Sequence, residues 1–247
     1  MLKTFSITNI GKKRKTNQDF VYTSEQQVGM LPNLFLVADG MGGHNAGDCA
    51  SKMTVETIIE KISVSAETEP GRILEEAILA ANARVREEAA RSPELEGMGT
   101  TIVAAICDGS QLFVANVGDS RLYVENSREI IQVTRDHSWV EEMVQRGGIP
   151  RAEARNNEHK NIITRAVGAE ETVQIDYFNV ALQEGDIVLM CTDGLTNMLE
   201  DEEIRMILES SRDIVENAEK LVWAANERGG SDNISVILIE PVREAED

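Results

Sequence analysis

Four aspartates stand where a reaction can be built on them. Asp39 closes the apolar run Leu34 to Val37 and is followed by Gly40, and Asp119 lies in Gly118-Asp119-Ser120 behind the run Gln111 to Val117. Asp193 lies in Thr192-Asp193-Gly194 behind Asp186 to Cys191, and Asp232 lies in Gly229-Gly230-Ser231-Asp232-Asn233, just ahead of Ile234 to Glu240. A carboxylate at the end of a buried strand, with glycine behind it, suits a hard cation such as Mg²⁺ or Mn²⁺, which takes oxygen ligands; the carbonyl of Gly40 is a further oxygen within reach. Taken singly, an Asp-Gly step is as readily an idle turn. Taken together, the placements point to one shared edge. In an antiparallel pair the end of one strand lies beside the start of its neighbour, about 4.8 Å away. A cluster of oxygen ligands can hold two metal ions about 3.5–4 Å apart, acidify a water between them and stabilise charge on a transferring phosphoryl group. None of the three histidines (His44, His137, His159) has the spacing of a zinc ligand.

A second group of residues supplies the opposite charge. Lys12-Lys13-Arg14-Lys15 runs into Thr16-Asn17-Gln18-Asp19. As a solvated turn this cluster needs no function. In a chain of net charge −19 it also offers a local anion site, with a guanidinium that grips phosphate oxygens bidentately. Aspartate cluster and arginine together lead to metal-assisted hydrolysis of a phosphate ester. The overall charge argues against nucleic acid or an anionic membrane as the main partner. It would also repel an anionic substrate unless cations at the site reverse the local sign.

The elements that must position these groups follow from the hydrophobic patterning. At 247 residues, 42% hydrophobic and 27% charged, the chain is of a size for one domain with a substantial core. No apolar run reaches the roughly 20 residues that span a membrane, and the N-terminal stretch lacks the apolar core of a signal peptide. Cys49, Cys107 and Cys191 are scattered within apolar runs and read as small buried hydrophobes in a reducing compartment, which gives a cytoplasmic expectation. Phe5 to Asn9 is a candidate first strand, and Val28 to Val37 leads into Asp39. Helical spacing predicts helices over Ala46 to Ile62, with Asn45 or Asp48 as its cap, and over Gly71 to Arg91, ended by Ser92-Pro93. The pattern then turns to period two. Thr101 to Cys107, Gln111 to Val117, Arg121 to Glu125 and Glu129 to Val133 read as four strands of an antiparallel meander joined by short turns. Asp136 to Gly168 is irregular, with short helices over Val140 to Gln145 and Pro150 to Arg155. From Met143 to Arg165 the five cations Arg146, Arg151, Arg155, Lys160 and Arg165 stand against only Glu153 and Glu158, reversing the overall balance. An irregular stretch of that length inside a compact domain is more often a functional flap than a linker. Strands resume over Val173 to Val180 and Asp186 to Cys191, helices follow over Asp201 to Ser210 and Asp213 to Glu227, and the acidic tail is expected to fray.

With those residues in view the chain resembles the metal-dependent serine/threonine protein phosphatases of type 2C, and more closely their compact bacterial branch. The resemblance rests on Arg14-Lys15-Thr16-Asn17-Gln18-Asp19, Val37-Ala38-Asp39-Gly40-Met41-Gly42-Gly43-His44, Gly99-Thr100-Thr101 and Ala115-Asn116-Val117-Gly118-Asp119-Ser120-Arg121. It continues through Asp136-His137-Ser138, Thr164-Arg165-Ala166-Val167-Gly168, Cys191-Thr192-Asp193-Gly194-Leu195 and Gly230-Ser231-Asp232-Asn233, in family order over nearly the whole chain. It implies an α+β fold, a four-layer αββα sandwich of two antiparallel β-sheets flanked by helices. It implies one catalytic domain over 1–242, with a flap at about 139–166 and an acidic tail at 243–247.

Carried over position by position, the resemblance makes Asp39, Asp193, Asp232 and the Gly40 carbonyl ligands of two tightly bound Mn²⁺ or Mg²⁺ ions. Asp19 resembles the outer carboxylate that acts mainly through metal-bound water, Asp119 the ligand of a weaker third ion shared with Asp193, and Arg14 the arginine that binds substrate phosphate. The animal branch has a histidine, proposed as general acid, where this chain has Met41, so that role does not transfer; His44 is a nearby candidate only. Phosphorylated proteins are the implied substrates. A cognate serine/threonine kinase and its substrates are the implied partners, without nucleic acid or membrane insertion, and the chain is expected to be a monomer. Two alternatives stand beside this reading: a phosphatase dedicated to one small regulatory phosphoprotein, and a catalytically silent regulator that binds phosphoproteins.

Overall fold

A computed structural model describes residues 2–43, 46–108, 110–126 and 128–241. His44, Asn45 and the tail at 243–247 lie outside the described residues. Two antiparallel sheets lie face to face. One has the order β1 (Leu2–Asn9), β11 (Ile234–Pro241), β10 (Ile187–Cys191), β7 (Arg121–Glu125), β8 (Ile130–Gln132). The other runs β2 (Asp19–Ser24), β3 (Leu34–Met41), β5 (Ile102–Asp108), β6 (Gln111–Val117), β9 (Asp176–Ala181), with β4 (Gly99–Thr100) paired to the end of β3.

Apolar alternation sorts the side chains into three layers of core. Leu34, Leu36, Ala38, Ile102, Ala104 and Ala115 face α1 (Ala46–Val64) and α2 (Pro70–Arg91), burying Ile58, Ile62, Leu74 and Ile78. Phe35, Val37, Val103, Ala105, Val188, Met190 and Ile237 meet between the sheets. Leu189, Cys191, Val236 and Leu238 face α6 (Asp201–Leu208) and α7 (Ile214–Glu227), with Ile204, Ala218 and Leu221. The result is the four-layer αββα sandwich. It also explains why β3 reads as an unbroken apolar run: both of its faces are buried.

Three sequence expectations need correction. Asp19–Ser24 is a strand, β2, paired residue for residue with β3 so that Asp19 stands opposite Asp39. The four period-two strands are not one meander. β5 pairs β6 in one sheet and β7 pairs β8 in the other, and the Gly118-Asp119-Ser120 turn carries the chain across. Period two reports that a strand has two unlike faces, and that holds on either side of such a crossing. Cys49 is half-buried on α1, unlike the buried Cys107 and Cys191. Among the described residues no helix is long and apolar enough to cross a membrane.

The irregular stretch that links β8 to β9 holds α3 (Trp139–Gln145) and α4 (Arg151–Ala154). Its two ends are stitched together at the base: Trp139 N–H donates to the Ile162 carbonyl at 2.8 Å and Thr164 N–H to that of His137 at 2.8 Å.

Candidate active site

Strand pairing brings the aspartates to one end of the sandwich. Asp19 opens β2 opposite Asp39 at the end of β3. In the other sheet Asp193 follows β10 and Asp232 precedes β11, its antiparallel neighbour, while Asp119 sits in the crossing turn just before β7, the other neighbour of β10. The Asp193 and Asp232 turns come very close: a Cβ at Gly194 would lie 1.8 Å from the Asn233 carbonyl oxygen, so only glycine fits there. One helical turn, α5 (Asp193–Thr196), begins at Asp193 itself.

Backbone and hydroxyl groups hold these carboxylates from behind. Asp39 N–H donates to Thr101 Oγ1 at 2.9 Å, and its carbonyl accepts Thr100 Oγ1–H at 2.8 Å and Thr101 N–H at 2.9 Å. Gly40 N–H donates to the Gln18 carbonyl at 3.0 Å, which ties the two metal-candidate strands together. Asp19 Oδ2 accepts hydroxyls from Ser235 at 2.7 Å and Thr192 at 2.9 Å, one from each side of the β10–β11 ladder. Asn197 donates to Asp193 Oδ2 at 2.8 Å. Asn233 accepts Gln18 N–H at 2.9 Å through Oδ1 and donates to the carbonyls of Ile10 and Thr16 at 3.0 Å, which fixes the basic loop beside the cluster. From that loop Arg14 Nη2 reaches Asp232 Oδ2 at 2.6 Å.

The electrostatics are those of a site that lacks positive charge. Oδ1 of Asp19, Asp119 and Asp193 is buried without any hydrogen-bond partner. Burial pushes the Asp19 carboxyl up to about 7, against the pull of its two hydroxyl donors, and Asp193 and Asp232 add to the rise. Burial, then Asp232, pushes Asp193 up to about 6. Asp39 and Asp119 are raised well above the usual carboxylate range, each first by burial and then by neighbouring aspartates. Strand pairing and the shared turns thus gather these carboxylates into one cluster. Among the described residues no trio of His, Cys, Asp or Glu side chains closes around one point as a formed ion cage would, and Asp232 is engaged by Arg14. The unpartnered oxygens, the mutual repulsion and an all-oxygen donor set nevertheless fit divalent cations.

A cavity of about 510 Å³ opens from Asp119 and Asp193 outward beneath the flap, where Arg151, Arg155 and Lys160 line it. Three of its lining residues are joined by a polar chain: Arg121 forks onto Asp136 (2.7–3.1 Å) and donates to the buried Tyr123 Oη at 2.8 Å, and Tyr123 donates to Asp201 at 3.0 Å. The arrangement is thus an acidic cluster with an arginine paired to one of its members and a cleft that starts at two others, Asp119 and Asp193.

The sequence from residue 11 to residue 234 fits the family described as Protein phosphatase 2C. The chain belongs to the protein phosphatase 2C family. It is 43% identical over 211 residues to "Serine/threonine phosphatase stp" of Listeria monocytogenes, covering 84% of each chain. It is 36% identical over 237 residues to "Protein phosphatase PhpP" of Streptococcus pneumoniae, covering 94% of this chain and 95% of that one. Its fold superposes with a TM-score of 0.90 on the S. agalactiae serine/threonine phosphatase (35% identity; 97% of this chain, 99% of that). The score is 0.85 for the catalytic domain of PstP in complex with two manganese ions (30% identity; 97% of each chain).

Within this protein phosphatase 2C the sequence reading picked out Arg14, Asp19, Asp39, Gly40, Asp119, Asp193 and Asp232, and the structure gathers all of them. His44 lies outside the described residues. The supporting groups Thr192, Asn197, Ser235 and Asn233 escaped it. Thr192 and Asn233 stand inside recognisable motifs, but nothing in the chain ties Asn197 or Ser235 to an aspartate until the fold is formed.

Proposed function

We propose that this phosphatase hydrolyses phosphoserine and phosphothreonine in proteins at the aspartate cluster, with Asp39, Asp193, Asp232 and the Gly40 carbonyl holding two Mn²⁺ or Mg²⁺ ions. Asp119 and Asp193 would take a weaker third ion, and Asp19 would act mainly through water. The observation that carries the reading is the set of buried carboxylate oxygens without partners on Asp19, Asp119 and Asp193, the last two lining the cavity under the flap, with Arg14 paired to Asp232 of the same cluster. When bound, the cations supply an acidified water as nucleophile and offset the charge of the phosphoryl group.

The protein's own contribution is placement. Arg14 is tethered by its loop to Asn233 and can exchange its exposed contact with Asp232 for substrate phosphate oxygens. Thr192 and Ser235 keep one oxygen of Asp19 occupied and the other open. The 510 Å³ cleft receives the polypeptide on either side of the phosphorylated residue. A cognate serine/threonine kinase and its substrates are the partners this reading implies, by the resemblance to the bacterial branch.

The deciding experiment is hydrolysis of a phosphothreonine peptide by the purified protein with Mn²⁺, with Mg²⁺ and with chelator. Turnover in the first two and none in the third is expected. Turnover that survives exhaustive chelation overturns the cation assignment. Binding of the phosphopeptide without turnover under every condition favours the silent regulator.

A further inference from the structure

Asp119 lies in a turn that its own sequence cannot hold in place. Gly118, before it, has φ +108°, and a Cβ there would lie 2.5 Å from Thr101 Cγ2, so the residue that aims Asp119 has no side chain to anchor. The anchor comes from the entrance of the flap. His137, 4% exposed, donates its backbone N–H to the Gly118 carbonyl at 2.9 Å, and its Nδ1 accepts the Gly118 N–H at 3.0 Å. A ring nitrogen that accepts a backbone N–H carries no proton, so the neutral imidazole has its proton on Nε2. Nε2 lies 3.1 Å from Asp176 Oδ2, the acceptor that this tautomer requires; Arg165 Nη1, 3.2 Å from the same nitrogen, has its shorter contact as donor to Asp176 Oδ1 at 2.8 Å.

The same aspartate holds the flap's other end. Asp176, first residue of β9, accepts from Arg165 Nη1 at 2.8 Å through Oδ1, and Thr164 N–H donates to the His137 carbonyl at 2.8 Å. One imidazole therefore touches the Asp119 turn on one edge and, through Asp176 and Arg165, the exit of the flap on the other.

We propose that His137, held as its Nε2–H tautomer by Asp176, is the positioning residue for Asp119 and couples the aim of that carboxylate to the seating of the flap. The inference rests on the reading of Asp119 as ligand of the third ion. A group that orients a ligand commonly costs about 10–100-fold in metal affinity when removed.

Two variants separate positioning from packing. Asparagine can present an acceptor to Gly118 N–H in place of Nδ1, whereas glutamine reaches Asp176 in place of Nε2 and leaves Gly118 unheld. Calorimetric titration of the metal-free protein with Mn²⁺ should show His137→Gln losing about tenfold or more at the weakest site with the two tight sites unchanged, and His137→Asn staying close to wild type. The ¹⁵N spectrum of the wild-type imidazole should show the proton on Nε2. Trypsin should cut the flap sooner in His137→Asn, which gives up the Asp176 contact, than in His137→Gln, which keeps it.

An unchanged weakest site in His137→Gln, equal losses in both variants, or a proton on Nδ1 each overturns the inference. Should His137→Gln fail to fold, Asp176→Asn decides. A weakened third site together with loss of the Nε2–H signature supports the proposal, and unaltered affinity overturns it. Asp119→Ala distinguishes the two levels: if that variant still binds the third ion, the reading of Asp119 fails, and this inference with it. If Asp119→Ala loses the ion and His137→Gln keeps it, the inference alone fails.

Discussion

Arg14 is the residue whose role depends most on what stands beside it. It is 46% exposed and pairs with Asp232 at 2.6 Å, so this contact is a screened one that a phosphate can displace. Arg14→Ala should lower kcat/KM for a phosphothreonine peptide by about 2–3 kcal/mol, roughly 30- to 160-fold, while Mn²⁺ affinity changes little. Arg14→Lys should recover only part of the loss, because one ammonium cannot reproduce a two-pronged contact. Calorimetry showing weakened Mn²⁺ binding in either variant would instead make Arg14 a structural partner of Asp232. Asp39 carries the opposite expectation. Its charge is opposed by burial and by every other aspartate of the cluster, so Asp39→Asn should abolish turnover yet raise the melting temperature of the metal-free protein. A variant that keeps a tenth of wild-type rate, or melts lower than wild type without metal, would contradict the placement. These aspartates were legible in the sequence because each adjoins an apolar run, a pattern written locally. Asn197 and Ser235 were not, because each meets its aspartate only across a turn or a sheet that local pattern does not describe.

At the scale of elements the flap behaves differently from what its composition suggests. Four of its five cations, Arg146, Arg151, Arg155 and Arg165, are held in ion pairs. Arg151 is forked onto Glu141, Arg146 pairs Glu142 at 3.3 Å, Arg165 pairs Asp176, and Arg155 reaches Glu200 at 2.7 Å. The last pair joins the flap to the N-cap of α6 across the cavity, and Glu200 also closes the capping box there. Arg155→Ala should therefore loosen the flap without touching the aspartates. The expected result is a several-fold fall in kcat/KM on a phosphopeptide and little change on a small aryl phosphate, measured side by side. Equal losses on both substrates would show that the flap does not read the peptide. The stretch was recognisable as irregular and cationic, but not its internal pairing, because Glu141 and Glu200 flank the segment whose charges were counted. β2 went unseen for a related reason: Asp19 to Ser24 is short and mixes polar with apolar residues, so its strand character comes from pairing with β3.

The whole molecule carries a charge of −19, and part of it is concentrated where burial is deepest. Asp19, pushed up to about 7, and Asp193, to about 6, bind their protons more tightly folded than unfolded. Their contribution to stability is present in full below the ordinary aspartate value and is lost as pH rises through about 6 to 7. The metal-free protein should therefore melt roughly 5–10 °C lower at pH 8 than at pH 5, and saturating Mn²⁺ should remove that difference. Calorimetric scans at the two pH values, with and without Mn²⁺, check this; a metal-free protein that melts higher at pH 8 would contradict it. The layered architecture was visible only by resemblance, since periodicity assigns a strand two faces without saying which sheet it joins. The crossing at Gly118 is where that ambiguity mattered.

β11, formed by Ile234–Pro241, lies between β1 and β10, with Leu2 opposite Pro241 and Cys191 opposite Val236. The strand nearest the amino end thus waits for nearly the whole chain before it has a neighbour. During translation, a nascent polypeptide that has not yet extruded residues 232–241 lacks Asp232, the Ser235 hydroxyl on Asp19 and the inner strand of one sheet. Such a chain can collapse around α1, α2 and the other sheet, but it has no complete acidic cluster with which to act. Birth of the enzyme and birth of its activity are then the same late event, and ribosome-bound fragments stalled before Asp232 should be inert toward phosphopeptides however well their first half has folded.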